Sequence, residues 1–219
     1  MKKYYLLSFL GIVLLGVFLA CSDEEEVPPG TETVVPGTDH NILIAYFSEP
    51  IPDGVDANSS ASRVVVDGEL YGSVEYMAAV IGEATGGDMA RIRTAQSYPG
   101  NYDDLAAQAD EERQSDARPE LSTVIENFDD YDVVFVGYPI WWYQMPMAMY
   151  TFFDTYDFAG KTIVPFSSHG GSGWSGTLGV ITELEPDATL VTGRSVSRGG
   201  VAESEEGILQ WLQDIGIVE

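Results

Sequence analysis

One stretch limits what this chain can fold into more than any other: Phe135-Val136-Gly137-Tyr138-Pro139-Ile140-Trp141-Trp142-Tyr143. It grows out of Asp132-Val133-Val134-Phe135-Val136-Gly137, a continuous apolar run behind a polar start. A run without alternation marks a strand covered on both faces, as in a parallel sheet. Pro139 has no N–H to give to a ladder and predicts the end of that strand. Bulky aromatics then follow its carboxyl end, the edge at which open α/β sheets bind ligands. A flat aromatic ligand suits such a place. Packing of the same rings into the core or a lid is the competing reading.

The rest of the chain supplies further strands and the helices between them. Asn41-Ile42-Leu43-Ile44-Ala45-Tyr46-Phe47 reads as a first buried strand, closed by Ser48. The long stretch from Glu49 to Tyr71 holds Pro, Gly, Asp and Ser throughout, with a small hairpin expected at Arg63–Leu70 around Asp67-Gly68. Val74, Met77, Ala78 and Ile81 have helical spacing within Ser73–Thr85, and Gly86-Gly87 stops that helix. Met89–Ile92 is a short second strand. Tyr102–Arg118 is a charged helix with Leu105, Ala106 and Ala109 inward, stopped by Pro119. Asp132–Gly137 is the third strand and Met147–Tyr156 an apolar helix. A fourth strand, Thr162–Ser167, opens after Gly160-Lys161 and leads into the Gly-rich loop Ser168-His169-Gly170-Gly171-Ser172-Gly173-Trp174-Ser175-Gly176. A short helix (Leu178–Leu184), a fifth strand (Ala188–Thr192) and a last helix (Glu205–Ile215) complete the chain. The last helix is expected to bury Ile208, Leu209, Leu212 and Ile215. Strands alternating with helices predict an α/β sandwich around a parallel sheet.

Charge and composition remove several function classes. The 219 residues carry a formal net charge of −25. Such a surface repels nucleic-acid phosphates and suits a basic partner. Cys21 is the single cysteine and His40 and His169 are the two histidines, which excludes a thiol redox pair and a cysteine- or histidine-rich metal site. The chain starts Met1-Lys2-Lys3, runs through an apolar stretch from Tyr4 to Ala20, and meets Cys21 followed by Ser22-Asp23-Glu24-Glu25-Glu26. Residues 1–20 resemble a bacterial lipoprotein signal peptide, which implies cleavage before Cys21 and lipid on that residue. The acidic run resembles the export signal of surface-exposed lipoproteins in Bacteroidetes-type bacteria. The implied location is the cell envelope, lipid-anchored on the outer membrane, with both a periplasmic and a surface-facing orientation left open. Residues 21–40 then serve as a flexible acidic spacer, and 41–219 form the folded domain.

Together, Ile42-Leu43-Ile44-Ala45-Tyr46-Phe47-Ser48, Tyr138-Pro139-Ile140-Trp141-Trp142 and Ser168-His169-Gly170-Gly171-Ser172-Gly173 resemble the flavodoxin family, in particular its extracytoplasmic members. The resemblance implies a three-layer sandwich with a five-stranded parallel sheet in the order 2-1-3-4-5. It also implies non-covalent FMN and electron transfer, as a carrier or a flavin-dependent reductase. On this pattern Pro139, Ile140, Trp141, Trp142 and Tyr143 border the flavin ring, with one aromatic stacking on it. Ser168, His169, Gly170, Gly171 and Ser172 approach its edge, and Ser48, Gly72 and Ser73 hold the phosphate. Where flavodoxins have Thr-Gly-Asn-Thr, this chain has Tyr71-Gly72-Ser73-Val74: Gly72 and Ser73 agree, while Tyr71 and Val74 depart and Val74 has no group to offer a phosphate. Ser48, Ser59, Ser60 and Ser62 are the candidate replacements. Outside the cytoplasm NADPH is scarce, so the electron donor and acceptor would be a quinone, a basic protein or another membrane partner. A flavodoxin-fold interaction module that has lost FMN is the alternative.

Two other motifs carry less. Gly171-Ser172-Gly173-Trp174-Ser175-Gly176 has dinucleotide-loop spacing but follows the fourth strand rather than the first. His169-Gly170-Gly171 resembles a hydrolase oxyanion loop, yet the chain has no Gly-x-Ser-x-Gly elbow and no second histidine in the domain's interior to serve a triad.

Overall fold

In the computed structural model, residues 40–49 and 63–219 are described. The leader, Cys21, most of the spacer, and Ser59, Ser60 and Ser62 lie outside the described residues.

Strand β1 (Ile42–Phe47) shows how the layers arise. Successive side chains of a strand point to opposite faces. Leu43, Ala45 and Phe47 join one core cluster. Ile44 and Tyr46 join another on the opposite face. A hairpin of β2 (Arg63–Val66) and β3 (Glu69–Gly72) turns at Asp67-Gly68, both with positive φ, as expected. Helix α1 (Ser73–Thr85) follows with the expected bounds and ends at Gly86 in the left-handed conformation. It covers the Ile44 face with Val74, Met77, Ala78 and Ile81. Strand β4 (Asp88–Ile92), helix α2 (Tyr102–Gln114), strand β5 (Val133–Pro139) and helix α3 (Met147–Thr155) come next. They are followed by β6 (Thr162–His169), α4 (Thr177–Leu184), β7 (Thr189–Leu190), β8 (Arg194–Ser197) and α5 (Glu205–Asp214). Helices α2, α3 and α4 cover the Leu43 face, while α1 and α5 cover the other. The result is a three-layer α/β/α sandwich.

The sheet runs β4-β1-β5-β6-β7, with β8 also paired to β6 and every pairing parallel. In the numbering of the five expected strands this is the order 2-1-3-4-5. Four departures have physical reasons. The fifth strand is in two pieces, because β6 pairs Ile163 with Leu190 and then Phe166 with Arg194, leaving one extra residue opposite. Val191 N–H donates to Ile163 O at 2.9 Å, so two residues on, the backbone of Pro165 also points at the fifth strand. Pro165 has no N–H there, and the partner strand bulges around the gap. Gly193 sits in the bulge, where a Cβ would stand 2.5 Å from the Pro165 carbonyl oxygen. Second, α2 stops at Gln114 rather than at Arg118, where Asp116 takes a positive φ. Third, Leu209 is on the outer side of α5, and Trp211 takes the inward place. Fourth, β5 runs two residues beyond the expected Gly137 because β6 continues beside it, pairing Ser167 with Tyr138 and Ser168 with Pro139, and it ends at the proline as the missing N–H predicts.

Candidate functional site

The carboxyl ends of β1, β5 and β6 lie side by side in the sheet, and the loops that leave β5 and β6 adjoin one another at that edge. The pairing of β5 with β6 continues past Pro139: Ile140 N–H donates to Ser168 O at 2.8 Å. That bond seats the aromatic turn directly beside the Gly-rich loop.

The three aromatics have three different fates. Trp141 is 8% exposed and packs edge-on against Phe47 at 5.3 Å and Tyr98 at 5.4 Å between ring centres. It is a core residue that anchors the turn. Its N–H and C=O exchange hydrogen bonds with Gln144 at 2.9 and 3.1 Å, closing a two-residue turn on Trp142 and Tyr143. Those two residues have φ of 50° and 62°. Large side chains avoid this region, and each such residue costs on the order of 1–3 kcal/mol unless its surroundings enforce it. One enforcing contact is the Trp142 indole N–H, which donates to Ala106 O of α2 at 2.9 Å. Trp142 remains 49% exposed and Tyr143 75% exposed. The strained turn therefore presents Tyr143 to solvent at the ligand edge.

On the neighbouring loop, His169 ends β6 and its Nδ1 accepts the Gly171 N–H at 3.0 Å. In the neutral ring this places the proton on Nε2. Gly171 has φ 127°, a conformation that side-chain-bearing residues avoid. Arg198 N–H donates to His169 O at 2.8 Å and holds this loop against the end of β8. Ser168 is buried beneath the loop and Ser172 O accepts from Ser175 Oγ at 3.2 Å. Trp142, Tyr143, His169, Gly170, Gly171 and Ser172 are thus gathered on adjoining loops, while Pro139, Ile140, Trp141 and Ser168 form the buried floor below them.

Ser48, Gly72 and Ser73 also come together, at the start of α1. Helix α1 begins without a capping side chain of its own, because Gly72 occupies the cap position. Ser48 Oγ stands in for it and accepts the Glu75 N–H at 3.4 Å. A Cβ on Gly72 would collide with that hydroxyl, which explains the glycine. The Glu75 side chain turns back and accepts the Gly72 N–H at 3.1 Å. Its other oxygen pairs with Arg91 Nη1 at 3.1 Å, and Arg91 also donates to the Ser48 carbonyl. Ser73 Oγ is fully buried without a hydrogen-bond partner among the described residues. Burial holds the Glu49 carboxyl above its usual range against the pull of Arg91 and Arg93, and Glu75 pushes it the same way. Burial raises the Tyr46 hydroxyl too, again with help from Glu75. At the far side of Trp141, burial and a 2.7 Å hydrogen bond to Glu112 keep Tyr98 protonated.

Glu75 and Arg91 were not singled out from the sequence. The available signal for Glu75 is its place three residues after the cap residue Gly72, where a carboxylate reaches back to the first free N–H. Arg91 gave only a cation inside a short strand, and the fold had to bring it to the end of β1.

The structure thus sets an exposed aromatic turn beside a Gly-rich loop at the carboxyl edge of the sheet, the edge at which open α/β sheets bind ligands. The sequence profile of the flavodoxin family matches residues 62–215, and the chain belongs to that family. It is similar to a protein from Bacteroides eggerthii assigned as a flavoprotein, with 31% identity over 81% of this chain and 98% of that one and a TM-score of 0.63. A second protein so assigned, from Bacteroides uniformis, has 26% identity over 80% and 99%, with a TM-score of 0.61. A flavoprotein from Lactobacillus acidophilus, solved in complex with FMN, shares the fold at 13% identity over 77% and 99%, with a TM-score of 0.53. No curated protein sequence matches the chain.

The two ends of the edge fit FMN unequally. The ring end offers an exposed aromatic face next to backbone N–H groups on a loop that glycine leaves open. At the phosphate end, two N–H donors of the α1 start are already taken, by Glu75 and by Ser48.

Proposed function

We propose that this protein is a flavin-binding electron-transfer protein, carrier or reductase, held outside the cytoplasm by lipid on Cys21. The observation that carries the flavin reading is the Ile140–Ser168 hydrogen bond, which sets the strained Trp142-Tyr143 turn against the His169-Gly170-Gly171 loop. Bound there, FMN would supply one- or two-electron transfer. The Tyr143 ring stacks on one face of a flat ligand, with Trp142 fixing the turn. The Gly170 backbone and the His169 imidazole meet its edge. Fixed dipoles at that edge favour one charge state over another and set the potential. The tether is supported by the leader and the acidic run after Cys21. The negative body suits a basic redox protein as partner, and a quinone is the membrane-borne alternative.

The test is spectroelectrochemistry of the flavin-loaded protein. His169→Ala is expected to move the midpoint potential while the protein stays folded, the Gly171 N–H losing its Nδ1 acceptor. An unaltered midpoint removes His169 from the site.

The second reading, an interaction module that has lost FMN, draws on the hydrogen bonds of Glu75 and Ser48 at the start of α1.

A further inference from the structure

Resting on the flavin reading above, we propose that Glu75 is a specificity-determining residue: its carboxylate fills the place of a phosphate at the start of α1, so the edge accepts a flavin without a phosphate as well as it accepts FMN. The argument is one of donors and charge. A dianionic phosphate at a helix start is held by the first free N–H groups and by a nearby cation. Here the Gly72 N–H goes to one oxygen of Glu75 at 3.1 Å, the Arg91 guanidinium to the other at 3.1 Å, and the Glu75 N–H to Ser48 Oγ at 3.4 Å. The Glu75 carboxylate thus satisfies a helix-start N–H and a guanidinium, with the same sign of charge that a ligand phosphate would bring, and Ser48 takes a second N–H. Admitting the phosphate means expelling that carboxylate and placing it, with Glu49, beside a second anion. A neutral polyol tail asks for no such exchange. Ser73 Oγ, fully buried and unpartnered among the described residues, leaves a further hydrogen-bonding group unused in the same helix turn.

The experiment compares wild type with Glu75→Gln, whose amide oxygen still accepts the Gly72 N–H, so the helix start keeps its cap. FMN and riboflavin are titrated into each by flavin fluorescence. The expected wild-type affinities for the two differ by less than about threefold. In Glu75→Gln the FMN affinity rises about tenfold or more, the scale of one charge-assisted hydrogen bond, with riboflavin unchanged. A wild-type preference for FMN of a hundredfold, left unaltered by Glu75→Gln, would overturn the proposal. A second arm needs no flavin: thermal melts in inorganic phosphate against chloride of equal ionic strength. Phosphate is expected to raise the melting temperature of Glu75→Gln and not of wild type, and equal shifts in both would overturn the proposal. If neither flavin binds either protein, the flavin reading fails and the phosphate arm decides the role of Glu75.

Discussion

Three consecutive aromatics with one sequence signal have three physical environments, and substitutions should separate them. Trp141 is enclosed by Phe47 and Tyr98, so Trp141→Ala opens a core cavity. We expect a loss of about 3–5 kcal/mol in urea unfolding. Tyr143 is exposed, and alanine keeps the Cβ that strains the left-handed turn, so Tyr143→Ala should leave stability within about 1 kcal/mol. Its effect belongs to the ligand: flavin affinity should fall about tenfold, by the energy of one aromatic stack. Trp142→Ala should loosen the turn from α2 and reduce flavin quenching, with stability lowered by about 1 kcal/mol for the lost indole bond to Ala106. If Tyr143→Ala and Trp141→Ala lose stability equally, the division of roles drawn here is wrong. Proximity in sequence named all three rings as candidates. Which of them faces inward depends on the two-residue turn between Trp141 and Gln144, and neither Trp142 nor Tyr143 is a residue that announces a left-handed turn.

Among the elements, the apolar runs of β1, β5 and β6 and the spacing in α1 are legible because burial on two faces leaves no other pattern open. The Asp67-Gly68 hairpin is legible because its turn chemistry is local. The break between β7 and β8 is not, since it arises from Pro165 on the neighbouring strand and no local signal in Val191-Thr192-Gly193 reports it. Gly193→Ala tests that account. Its Cβ would press on the Pro165 carbonyl and on the Trp174 ring, and a loss of about 1–3 kcal/mol is expected by thermal or urea unfolding. No loss would mean that the bulge has slack. At the end of α4, Glu185 supplies a pH signature. Burial, with Asp157 and Asp154 nearby, lifts its pKa from an ordinary 4.5 to about 7. The folded state therefore holds this proton more tightly than the unfolded chain does. The corresponding stability is fully present below about pH 4.5 and is lost as pH rises through about 7. Glu185→Gln should match wild type at pH 4.5 and exceed it at pH 8 by about 1 kcal/mol, after allowing for solvent screening of a half-exposed group. Urea melts at the two pH values measure this, and parallel curves would refute it.

On the scale of the whole molecule, the aromatic edge and the helix start make different demands. The edge follows from the strand order, which puts the ends of β1, β5 and β6 side by side whatever their loops contain. The helix start depends on single side chains, and here Glu75, Ser48 and Arg91 have settled it among themselves. That is why the family and the juxtaposition of the aromatic turn with the Gly-rich loop are legible in segments of sequence, while the hydrogen bonds of the helix start required the coordinates. The net charge of −25 adds a field that disfavours any anionic ligand and favours a basic partner. The central claim is that a flavin sits at the Tyr143 and His169 edge. Its most direct measurement is a calorimetric titration of the purified chain, expressed from Cys21 onward, with FMN and with riboflavin, flavin fluorescence being followed in parallel. The account predicts saturable binding of one flavin per chain at micromolar or tighter affinity, with quenched emission, and about tenfold weaker binding to Tyr143→Ala. A folded protein that releases no heat and quenches neither flavin would contradict it.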